Sequence, residues 1–164
     1  GVANLGASLV DNLFVGALTF SSTWSSVTAT GNEIYGTSAF VTPATHPDNQ
    51  FSDAMPSGTR VFLNPNAYDA GRANLVIYNG EKAPTVPVDL GPAVARGARY
   101  EIFSVYDLFG EPVASGVWAG GTVPVPMGSK PPPQPLGVAD AIVESDDPGR
   151  AFGVFIVKHT PCRR

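Results

Sequence analysis

Three acidic groupings are spaced closely enough to suggest hydrolysis: Asp48 with Asp53, Asp107 with Glu111 in "YDLFGE", and Glu144 with Asp146 and Asp147 in "ESDDPG". A glycosidase needs two carboxyl groups roughly 5–10 Å apart, one of them kept protonated. Each of these groups lies in a turn-forming stretch, where Asp commonly fastens the backbone with its own side chain. The structural role is the stronger reading, and no catalytic residue is assigned. His46 and His159 are the only imidazoles, far apart and without H-x-x-x-H or Cys/His spacing, so no zinc is expected. "ASGVW" and "PSGTR" lack the G-x-S-x-G elbow of a serine hydrolase. "HPDNQFSD" and "DDPG" carry oxygen ligands but not the regular D-x-D-x-D-G spacing of a calcium loop. No metal and no cofactor follow from these residues. Cys162 is the only cysteine, so no internal disulfide forms, and beside Arg163 and Arg164 it reads as a tail residue.

Sugar binding is a subtler option. A carbohydrate platform presents aromatic faces on which pyranose rings stack, with amides and carboxylates fixing the hydroxyls. Trp118, Tyr68, Tyr106 and Trp24 fall at strand ends or in loops and form a candidate set. The polar loop "NPNAYDAGRAN" adds Asn66, Asp69 and Arg72 around Tyr68. Taken one at a time, each aromatic is better explained as closing the end of a core. The loop is likewise explained as a connector in which Arg72 pairs with Asp69.

These side chains need strands to hold them. The chain has 164 residues, enough for a real core, and Gly 18 with Pro 16 makes about a fifth of it, a mixture that favours short strands and many turns. The net charge is −4 and no Lys/Arg cluster is interleaved with aromatics, which argues against a nucleic-acid partner. No apolar run is long enough to span a bilayer, and "GVANLGASLV" lacks the basic start of a signal peptide.

Residues 9–20 and 25–36 are two apolar or alternating runs. They align about twenty residues apart when Phe14 is set against Ile34, the length of one coil of a parallel solenoid. Residues 41–58 carry three prolines and read as a connection. Seven strand-like runs follow, from "TRVFL" at 59 to "AFGVFIVKH" at 151, and predict a sandwich. In "TVPVDL" and "TVPVPM" the valines share one face and the prolines the other, which assigns both to sheet edges. "FGVFIV" is apolar on both sides and is assigned to a centre covered on both faces. "NGEK" and "AGG" read as hairpin turns. Pro131 to Pro133 form a stiff polyproline spacer.

The stretches "TGNEIYG", "THPDNQF", "PSGTRVFLNPNAYDAGRANLVIYN", "VPVDLGPAVARGARYEIFSVYDLFGEPVASGVWAGGTVPVPM" and "FGVFIV" follow one another over nearly the whole chain. In this order they resemble the C-terminal part of bacterial secreted right-handed parallel β-helix repeat proteins. The resemblance implies an all-β fold: an antiparallel β-sandwich, similar to the accessory sandwiches of glycoside hydrolases, preceded by one or two β-helix-like coils. Residues 1–40 would be terminal coils, 41–58 the connecting segment and 59–164 the sandwich. The expected function is a non-catalytic capping and stabilising module of a secreted or cell-surface, carbohydrate-related protein, with a polysaccharide as one partner. A longer β-helix chain or copies of itself are the others. Two alternatives stand beside it: a fragment of a polysaccharide lyase or glycosidase of the β-helix type, and a structural subunit of an extracellular assembly.

Overall fold

Prolines and glycines interrupt this chain too often for helices, and every regular element among the described residues is a strand. The computed structural model describes residues 5–20, 24–130 and 149–160. It divides into two compact units, Gly1–Ser57 and Gly58–Arg164. No helix in it is long and apolar enough to cross a membrane.

In the first unit each run breaks into three short strands. The first run gives β1 (Ala7–Val10), β2 (Leu13–Val15) and β3 (Leu18–Thr19); the second gives β4 (Val27–Thr30), β5 (Glu33–Tyr35) and β6 (Ser38–Ala39). The breaks fall where the backbone enters positive φ, at Asp11 and Gly31 after β1 and β4, and at Gly16 and Gly36 after β2 and β5. The pairs β1–β4, β2–β5 and β3–β6 are all parallel. Ala7 lies opposite Val27, Phe14 opposite Ile34 and Leu18 opposite Ser38, so one twenty-residue offset serves all three. β7 (Gln50–Ser52) joins the far edge of β5, with Phe51 opposite Ile34. It lies inside the segment read as a connection. Its prolines, Pro43, Pro47 and Pro56, all fall outside β7, so the ladder bonds of residues 50–52 are available.

Gly16 and Gly36 occupy the same place in successive runs, with φ of 119° and 125°, where an L-residue is strained. A Cβ on Gly36 would stand 2.7 Å from the Gly16 carbonyl oxygen, whereas one on Gly16 would meet nothing within 4 Å. Gly16→Ala is therefore expected to cost only the backbone strain, about 1–2 kcal/mol. Gly36→Ala adds a clash with immovable backbone and should lose at least about 1 kcal/mol more, read from urea midpoints of the two variants.

In the second unit seven strands form at the expected places: β8 (Thr59–Pro65), β9 (Arg72–Asn79), β10 (Thr85–Asp89), β11 (Arg99–Ser104), β12 (Ala114–Val117), β13 (Thr122–Pro126) and β14 (Phe152–His159). Five build an antiparallel sheet in the order β12-β11-β14-β9-β8, and β10 pairs with β13 alone. In that pair Pro87 stands opposite Pro124, and each proline-bearing strand keeps one free edge, as the missing N–H groups require. Val86, Val88, Val123 and Val125 point the other way. They join Leu75, Ile77, Ile102 and Val157 of the five-stranded sheet in one buried cluster.

Two expectations are corrected here. The turns at 79–82 and 119–121 are not hairpins: each carries the chain from one sheet to the other, β9 to β10 and β12 to β13. β14 is central, but only one face is sealed. Phe155 and Val157 are buried, while Val154 and Ile156 are half-buried and Phe152 is 42% exposed.

Candidate functional site

The polar loop between β8 and β9 spends its side chains on its own closure. Asn66 Oδ1 accepts from the N–H groups of Tyr68 and Asp69 at 2.9 and 3.0 Å, and Asp69 Oδ1 accepts from Gly71 N–H at 3.0 Å. Arg72 Nε lies 3.6 Å from Asp69 Oδ2, with both side chains about half exposed. Tyr68 projects from this connector fully exposed, at 100%.

The other members of the aromatic set lie elsewhere. Trp118 follows β12 at the opposite edge of the five-stranded sheet from the β8–β9 loop, about 15–20 Å away at ordinary strand spacing. Its indole Nε1–H donates to Gly121 O at 3.0 Å, and its ring packs on the buried cluster. Tyr106 follows the other end of β11, where its N–H donates to Ser104 Oγ at 3.3 Å. Trp24 belongs to the first unit and meets Phe20 edge-to-face, ring centres 6.0 Å apart. Tyr68, Trp118 and Tyr106 therefore do not share one surface patch within the second unit.

Of the acidic groupings, Asp48 and Asp53 do not converge. Asp48 and Asp53 flank the two ends of β7, roughly 15 Å apart along extended chain. Asp107 is taken by Lys130, whose Nζ donates to its Oδ2 at 2.7 Å. That hydrogen bond holds the Asp107 carboxyl below the usual carboxylate range. A depressed folded-state pKa stabilises above the unfolded value of 3.8, and the contribution disappears as pH falls through the lower folded value. Lys130→Met should return the Asp107 titration toward its ordinary range in carboxyl NMR. Its stability deficit should be present above about pH 4 and vanish in acid. Glu144, Asp146, Asp147, Pro131 to Pro133 and Cys162 lie outside the described residues.

The imidazoles are in different units. His46 Nε2 lies 3.1 Å from Val27 O and its Nδ1 2.9 Å from Thr45 Oγ1, so an Nε2–H tautomer satisfies both ring nitrogens. His159 borders an open depression of about 430 Å³ together with Arg99, Tyr100, Glu101, Ser115 and Lys158. Its Nδ1 is the one enclosed side-chain polar atom without a partner among the described residues. Two cations and one carboxylate line the same depression, and Lys158 Nζ rests 4.5 Å from the centre of the Phe103 ring. Such a lining can hold a polar or anionic group.

The most ordered polar constellation was not anticipated. Asn12, Asn32 and Asn49 stack through the first unit as a ladder. Asn32 Oδ1 accepts from both N and Nδ2 of Asn12, at 2.9 and 3.0 Å. Asn49 Oδ1 accepts from both N and Nδ2 of Asn32, at 3.0 and 2.7 Å. Asn32 Nδ2 also donates to Leu9 O, and Asn49 Nδ2 donates to Ala29 O and His46 O. In the second unit, Asn79 is equally buried. Its amide bonds Ala83 O and Arg150 O, both at 2.8 Å, fastening the start of the β9–β10 crossing to the chain entering β14. The sequence signal for the ladder was the twenty-residue repeat of Asn12 and Asn32; the third member breaks it, lying seventeen residues on.

No group of three or more His, Cys, Asp or Glu residues capable of holding a metal occurs among the described residues. No family model, no curated protein and no solved structure matches the chain.

Proposed function

We propose that this chain is a non-catalytic β module of a secreted or cell-surface, carbohydrate-related protein. On this reading the first unit is a pair of parallel β-helix coils with a partial third turn, and the second is a β-sandwich. The observation that carries it is the single twenty-residue offset shared by three parallel strand pairs, threaded by the asparagine ladder. Two sheets contributing to one buried cluster support the sandwich. The likeness in sequence to C-terminal parts of right-handed parallel β-helix repeat proteins supports the same assignment. The passive role is supported by the fate of the acidic groups. Asp107 is engaged by Lys130, and Asp48 and Asp53 are held at opposite ends of one strand.

Where the module contacts glycan, the depression beside His159 is the better candidate, because Tyr68 and Trp118 sit at opposite edges of the sheet. Incubation with pectin, alginate and xylan should release no reducing or unsaturated ends. Release of either, abolished in Asp107→Asn or Asp53→Asn, would replace this reading with that of a lyase or glycosidase fragment.

A further inference from the structure

The asparagine ladder has one closed end and one open end. At the closed end, Asn49 turns its amide back onto Ala29 O and His46 O, so its side chain offers no hydrogen to a following layer. At the open end, Asn12 donates downward to Asn32 Oδ1, and no described residue gives Asn12 Oδ1 the paired N–H donors that Asn32 Oδ1 and Asn49 Oδ1 each receive.

Two further features mark the same end. Ala7 and Asp11 donate their N–H groups to the second run, so strand alternation aims those of Ser8 and Val10 toward an edge with which no described strand pairs. The interior column is also sealed unevenly: Ala29 and Ile34 are buried, whereas Leu9 and Phe14 are only half-buried.

We infer that the β1–β2–β3 edge is a docking surface for one further parallel coil of the same twenty-residue pattern, carrying an asparagine whose N–H and amide both donate to Asn12 Oδ1. This rests on the coil reading of the first unit. The ladder chemistry selects the occupant. A second copy meeting this edge head to head would oppose Asn12 Oδ1 to Asn12 Oδ1, acceptor against acceptor. A copy presenting its other end would offer Asn49, whose amide hydrogens are already committed. A coil repeating the Asn12–Asn32 relation supplies the two missing donors, partners for Ser8 and Val10, and an apolar side chain over Leu9 and Phe14.

The test is to insert a duplicate of residues 5–24 directly before Leu5, which keeps the twenty-residue offset, and to follow amide hydrogen exchange with and without the extension. The Ser8, Val10, Leu13 and Val15 amides should slow at least tenfold in the extended chain. Most of that gain should be lost when the duplicated Asn12 is replaced by alanine. If residues 27–39 are protected but 7–19 exchange equally fast with and without the extension, the docking inference is overturned and the coil reading survives. If 27–39 are themselves unprotected in the parent chain, the coil reading falls. Concentration-dependent dimerisation of the parent that protects residues 7–15 would make a second copy the occupant and also overturn the inference.

Discussion

Asn32→Ala is expected to destabilise the first unit by about 3–5 kcal/mol. Asn32 is 0% exposed, so no water replaces what its amide does. Truncation removes the acceptor of Asn12 N–H and the donor to Leu9 O, and it deprives Asn49 Oδ1 of one of its two donors. Stranding buried backbone and amide groups costs about 1–3 kcal/mol each, and here the losses fall in adjacent layers. Asn32→Asp keeps the shape and the acceptor but loses the Nδ2 donor and sets a carboxylate against Asn49 Oδ1, so it should be no better tolerated. Asn12→Ala, at the exposed end of the same ladder, should cost about 1 kcal/mol or less, because Asn32 Oδ1 keeps the Asn12 backbone N–H and the Val10 carbonyl that loses its donor lies on an exposed residue. Urea unfolding followed by Trp24 fluorescence in a Trp118→Phe background reads this unit. A deficit under about 1 kcal/mol for Asn32→Ala would show that the ladder is incidental.

Leu75→Ala should destabilise the second unit by about 3–4 kcal/mol. Leu75 is fully buried near the middle of β9, opposite Leu63 on one neighbour and Phe155 on the other. The cluster beneath it includes Val88 and Val125 of the second sheet. Strands held on both sides by ladder bonds cannot collapse far into the space left, so a cavity term adds to the lost transfer energy. Val76→Ala, one residue on but facing the other side, should cost about 1 kcal/mol, since that face is only half covered. The ratio of the two, read by Trp118 fluorescence in a Trp24→Phe background, tests which face of the five-stranded sheet carries the core.

The strands of the second unit were legible because their signals are local. Val86, Val88 and Leu90 alternate with Thr85, Pro87 and Asp89, and alternation alone says which side turns inward. The prolines at 87 and 124 announce edges for an equally local reason, a donor that is not there. The misreadings arose where a local signal was asked a distant question. "NGEK" and "AGG" do hold positive-φ residues, Lys82, Gly120 and Gly121, but a turn residue reports its own dihedral and not which sheet the next strand joins. The apolar run of β14 reads as covered on both faces, yet apolar residues such as Val154 and Ile156 can also face a surface that is only half covered. The aromatic set lies scattered for the same reason, since strand-end positions in sequence do not say which end of a sheet, or which unit, receives them.

From the residues alone came the all-β class, the positions of the second unit's strands, the inward faces and edge assignments of β10 and β13, and the twenty-residue correspondence of Phe14 with Ile34. All of these follow from side-chain alternation, missing donors and restricted φ, which are properties of a few consecutive residues. Only the tertiary structure decided that β14 lies beside β9, that β10 and β13 leave the main sheet, and that Asn32 and Asn79 are buried bonding centres. Those outcomes depend on which distant segments close on one another. Phe152 meets Tyr78 and Asn79 meets Arg150 across some seventy residues. The chemical partner of a buried amide exists only once that closure has been made.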